Sequence, residues 1–156
     1  MSTPLLRYQR DLNQEGFSYD PAQEMAVAHL QDLYDRLVEA HELSFEKKSL
    51  FQRLAKAFSD DSRPLEDGLY FWGGVGRGKT YLMDNFYESL PFQEKMRSHF
   101  HRFMRRVHKE LKTLVGVKNP LEVVADRLAA EARVICFDEF FVSDITDAMI
   151  LGTLLN

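Results

Sequence analysis

Apolar residues along this chain follow two spacings, and the alternation between them lays out its elements. Ala26, Leu30, Leu33, Leu37 and Val38 recur every three or four residues, the stripe of a helix burying one face. Asp20-Pro21 opens it with a cap and a proline at the first helical position, and Thr3-Pro4 opens a shorter helix that closes before Gly16. Leu50, Phe51, Leu54 and Phe58 predict a further helix, and the polar run Ser59-Asp60-Asp61-Ser62-Arg63-Pro64 marks a boundary. Beyond it the pattern changes. Leu69-Tyr70-Phe71-Trp72 reads as a strand, followed by a helix carrying Leu82, Met83, Phe86, Tyr87 and Leu90 and stopped by Pro91. A short strand is expected around Ser98–His101, then helices on Phe103, Val107, Leu111, Leu114 and on Leu121, Val124, Ala125, Leu128, the second capped at Asn119-Pro120. Val134-Ile135-Cys136-Phe137 is apolar throughout, as a strand buried on both faces of a parallel sheet requires. Asp144, with Asp147 as box partner, caps a last helix carrying Ile145, Met149, Ile150 and Leu154.

The junctions of the middle elements carry the candidate chemistry. Between the Leu69–Trp72 strand and its helix stands Gly73-Gly74-Val75-Gly76-Arg77-Gly78-Lys79-Thr80, which satisfies G-x-x-x-x-G-K-[ST]. Phosphate oxygens need several donors converging from one side, and a tight glycine-rich loop supplies them as backbone N–H groups. The following helix points its positive end at the anion. Lys79 reaches the β/γ-phosphates and the Thr80 hydroxyl is a ligand for Mg²⁺. Downstream, Asp138 ends the apolar strand where parallel sheets bind ligands, and a carboxylate there holds Mg²⁺ directly or through water. Glu139 follows at once and is placed to polarise an attacking water. The Asp138-Glu139 pair alone is weak, but beside the glycine loop it becomes strong; together they describe a site for Mg²⁺ and a nucleoside triphosphate, with ATP expected.

Composition sets bounds. The chain has 156 residues, 45% hydrophobic and 28% charged, the profile of a globular domain with a real core. A net charge of −4 gives no global reason to expect nucleic acid. The single cysteine, Cys136, excludes an internal disulfide, and no signal peptide or membrane-length apolar run is evident, so a cytoplasmic setting is expected. Residues 95–112 hold seven Lys/Arg and three His, with Arg102, Arg105, Arg106, Lys109 and Lys112 largely on one helix face. That is either a solvated face or a surface for an acidic partner or phosphates. Gln23 completes a capping box with Asp20 or reads an adenine edge; His99 and His101 line a polar strand face or restrain Glu139; Arg77 points outward or touches phosphate.

Gly74–Thr80 followed by Leu82-Met83-Asp84 and Phe86-Tyr87, His99-Phe100-His101-Arg102-Phe103-Met104, and Cys136–Phe140 running on into Val142–Met149 resemble the ZapE group of AFG-like ATPases, within the AAA+ class. The resemblance covers most of residues 5–156. It implies an α/β P-loop NTPase sheet flanked by helices, with a helical N-terminal extension over 1–60 and the front portion of the ATPase core over 61–156. It also implies ATP hydrolysis, assembly into a homo-oligomer in the full-length protein, and, for bacterial members, a role in cell division at the FtsZ ring. Only three candidate strands are found here, where sheets of this kind usually have five or six. The later strands, the γ-phosphate sensor and the arginine finger of the class are not found, so the chain is expected to be the front of a longer protein with an incomplete sheet. No direct membrane insertion is expected, and nucleic acid is not expected as a partner. Two other readings remain: a helicase-loader-like AAA+ protein that binds nucleic acid, and a non-catalytic adaptor ordered by nucleotide.

Overall fold

The structure, a computed structural model, describes residues 2–54, 68–71, 78–139 and 145–155. Among these it is a mixed α/β chain of six helices and one two-stranded parallel sheet. Two compact units divide it, Met1–Pro91 and Phe92–Asn156. No helix among the described residues is long and apolar enough to cross a membrane.

The first unit is helical. Helix α1 (Pro4–Leu12) starts where Thr3-Pro4 predicts, with the Thr3 hydroxyl accepting from the Leu6 N–H. Helix α2 (Pro21–Leu54) starts after Asp20, whose carboxylate accepts from the Ala22 N–H at 2.9 Å. It runs unbroken through the region where two helices are expected, since no glycine or proline interrupts 22–54. The boundary expected at 59–64 lies outside the described residues. Helix α3 (Lys79–Ser89) follows Gly78 and stops before Pro91. Ala26, Val27, Leu30, Leu33, Tyr34 and Leu37 of α2, Tyr8 of α1, and Leu82 and Phe86 of α3 are buried. The strand expected at Leu69–Trp72 is not formed over its described part, Leu69–Phe71.

The second unit is a strand–helix–helix–strand crossover closed by a sixth helix. Strand β1 (Lys95–His99) passes directly into helix α4 (Phe100–Thr113); helix α5 (Pro120–Glu131), strand β2 (Val134–Asp138) and helix α6 (Ile145–Leu154) follow. The first strand lies earlier than expected, because His101 belongs to the first turn of α4. The strands pair in parallel with Arg97 opposite Cys136 and His99 opposite Asp138. Side chains alternate across a strand. Met96, Ile135 and Phe137 pack on a core of Phe100, Phe103, Met104, Val107, Leu114, Val124, Leu128, Ile150 and Leu151. Arg97, Cys136 and Asp138 take the opposite face. Asn119 precedes α5 as predicted, but in the left-handed region at φ 52 and without a side-chain cap. Asp144 lies outside the described residues, and Asp147, expected to complete its box, bonds His108 Nε2 on α4 at 2.6 Å.

Candidate nucleotide-binding site

Gly73, Gly74, Val75, Gly76 and Arg77 lie outside the described residues, so the described part of the phosphate loop is its exit. Gly78 is the residue before α3, at φ 72 and ψ 25. That left-handed conformation is open to glycine at no steric cost and strained for other residues. Its carbonyl accepts from Leu82 N at 3.0 Å, closing the first turn. The first turn carries no side-chain cap and no acidic residue, so nothing on α3 itself neutralises its positive end. Lys79 and Thr80 stand there exposed.

Three contacts fix this helix to the N-terminal segment. The Tyr81 hydroxyl donates to Asp11 at 2.8 Å, Asn85 Nδ2 donates to the Pro4 carbonyl at 3.1 Å, and Arg7 pairs with Glu88 at 2.8 Å. Phe17 packs its ring 5.0 Å from that of Tyr81. Burial, then the bond to Asp11, pushes the Tyr81 phenol well above its usual range, so it remains a donor. Gln23 also belongs to this neighbourhood. A Cβ placed on Gly78 would fall 2.2 Å from Gln23 Nε2, so the Gln23 amide lies against the start of α3.

Asp138 and Glu139 belong to the second unit. Asp138 is the last residue of β2, and Glu139 leaves the strand in the left-handed region at φ 53, exposed. The Asp138 carboxylate is held by Arg97. Nε donates to Oδ2 at 2.8 Å and Nη2 to Oδ1 at 3.3 Å, with both side chains mostly buried. The sequence reading missed this partner. The signal that finds it is parity: once β1 is set at Lys95–His99, Arg97 falls on the face of Cys136 and Asp138. Cys136 is buried, and burial pushes its thiol up to about 11, which keeps it protonated and inert.

Two other expected groupings resolve differently. The rings of His99 and His101 stack at 5.8 Å, and Glu139 accepts no hydrogen bond from either among the described residues. On α4, Arg106 leaves the basic face to pair with Glu110 at 3.2 Å and with Glu131 of α5. Arg102, Arg105, Lys109 and Lys112 remain exposed.

The chain matches the family model described as AFG1-like ATPase over residues 2–156. It is 49% identical to the cell division protein ZapE of Escherichia coli, in both strain K12 and strain O157:H7, over 99% of this chain and 42% of the relative. It is 34% identical to an uncharacterized protein of Schizosaccharomyces pombe over 99% of this chain and 40% of that one. The chain thus spans less than half the length of these relatives. No solved structure matches it. With the match covering almost every residue from Ser2 onward, the chain belongs to the AFG1-like ATPase family.

Proposed function

We propose that this chain carries an AAA+ P-loop site that binds Mg-ATP and, in the setting of a whole family member, hydrolyses ATP to ADP and phosphate. The observation that supports it most is the start of α3: a left-handed Gly78, no capping side chain, and Lys79 and Thr80 exposed in the order the phosphate motif demands. In this reading 1–60 is a helical extension and 61–156 the ATPase core. Lys79 and the loop amides of Gly73–Gly78 bind the phosphates and offset their charge. Glu139 orients the attacking water. The donor set suits Mg²⁺, because the Thr80 hydroxyl and the Asp138 carboxylate are hard oxygen ligands. They would hold it, and when bound it neutralises charge on the phosphate oxygens. Phosphoryl transfer rests on positioning and electrostatics, so an arginine finger supplied elsewhere is worth about 10³–10⁵ in rate. A cytoplasmic setting, homo-oligomeric assembly and a part in cell division, by likeness to the E. coli relative, belong to the same proposal.

The test is nucleotide binding by the wild-type chain and by Lys79→Ala, followed with a fluorescent ATP analogue in Mg²⁺. The expected result is saturable binding that Lys79→Ala weakens at least about tenfold, a loss of roughly 1.4 kcal/mol. Equal affinities for the two proteins would remove Lys79 from the site.

A further inference from the structure

Arg97 stands outside every motif that identifies the site, yet among the described residues its side chain bonds Asp138. Its guanidinium meets the carboxylate side-on, Nε to Oδ2 at 2.8 Å and Nη2 to Oδ1 at 3.3 Å, so both oxygens accept from one planar donor. Relative exposures of 26% for Arg97 and 17% for Asp138 place the pair where water screens it only in part. The strand register brings the two side chains within reach. Arg97 lies directly opposite Cys136, and Asp138 is the next residue of β2 on that same face, a diagonal neighbour within reach of a long side chain.

From this geometry we propose that Arg97 is a positioning residue that sets the divalent-cation affinity of Asp138. The inference rests on the reading of Asp138 as a cation-holding carboxylate. Two consequences follow from the contact. The fork fixes the carboxylate orientation, and the guanidinium charge offsets the carboxylate charge. A carboxylate has about four lone-pair positions, and Arg97 engages two, one on each oxygen. A cation at that carboxylate would meet reduced net attraction, and Mg²⁺ gives up its water reluctantly. Asp138 would therefore hold a cation more weakly than a free carboxylate would. A purely architectural role for Arg97, tying β1 to β2, has the opposite sign: breaking the pair would loosen the site and weaken the cation.

The experiment measures the Mn²⁺ concentration that gives half-maximal binding of a fluorescent ATP analogue, a readout independent of turnover. Wild type, Arg97→Gln, Arg97→Lys and Asp138→Asn are compared. Arg97→Gln should need about fivefold less Mn²⁺ or lower still, since a nearby positive charge is gone. Arg97→Lys keeps the charge but loses the fork, so its midpoint should fall between those of Arg97→Gln and wild type. An Arg97→Gln midpoint unchanged or shifted to higher Mn²⁺ overturns the inference. Asp138→Asn separates the two levels: it should raise the midpoint, and if it does not, the reading of Asp138 itself fails. A second measurement needs no folded Gln variant. In wild type the Arg97 Nε–H resonance, assigned by its loss in Arg97→Lys, should shift with Mg-ATP and hold still with ATP plus chelator. A resonance indifferent to both overturns the inference.

Discussion

Asn85 shows how a single polar side chain can matter more than its composition suggests. It lies buried on α3, and its amide donates to the Pro4 carbonyl at 3.1 Å. Ser89 Oγ in turn donates to the Asn85 carbonyl at 2.6 Å. Removing the amide leaves the Pro4 oxygen without that donor, a penalty of about 1–3 kcal/mol for a buried acceptor. We predict that Asn85→Ala lowers unfolding stability by that amount in urea titrations, with little change in slope; a loss under about 0.5 kcal/mol would mean water replaces the bond. Nothing local in the sequence announces this residue, because its partner is 81 positions away. Gly78 is the contrasting case. The phosphate motif demands glycine there, and φ 72 supplies the reason. Arg97 falls between the two: its residue type was noted among the basic positions, but its role depended on a strand register that pattern alone misplaced.

The helix ends and the apolar strand β2 were legible, and the other strands were less so. Thr3-Pro4, Asp20-Pro21, Asn119-Pro120 and Pro91 all mark ends near where helices begin or stop, because caps and prolines act within one turn. A strand depends on a partner that local sequence does not display, so Leu69–Phe71 was read as one and does not take strand form, while β1 slid toward Lys95. The tie between α4 and α5 is likewise tertiary. Arg106 bonds Glu131 and holds its carboxyl below the ordinary value of 4.5. A depressed carboxylate stabilises the fold above the unfolded pKa, and that contribution is lost as pH falls through the folded value. Glu131 is 49% exposed, so the contribution is only about 0.2–1 kcal/mol. Glu131→Gln should therefore cost that much at pH 7 in chemical denaturation. The difference from wild type should fade on acidification below pH 4.5. A gap that persists undiminished at pH 2 would assign the effect to packing.

At the scale of the molecule, each unit carries one part of the expected chemistry: Lys79 and Thr80 in the first, Asp138 and Glu139 in the second. The motifs name both parts, since phosphate loops and acidic strand ends are written in contiguous residues. Family membership follows over 2–156, while the E. coli relative is matched over 42% of its length. Whole-protein turnover and partners are therefore left to the longer relatives, and the part of the proposal that this chain can test by itself is nucleotide binding. The most direct test is a thermal melt of the 156-residue chain with and without saturating Mg-ATP, repeated with Lys79→Ala. At 100 times Kd a ligand of the native state adds about 2.7 kcal/mol, roughly 5–10 °C for a domain of this size. The account predicts an upward shift of that order in the wild type and none in Lys79→Ala. A wild-type melt that ignores Mg-ATP, or a shift that survives the substitution, would contradict it.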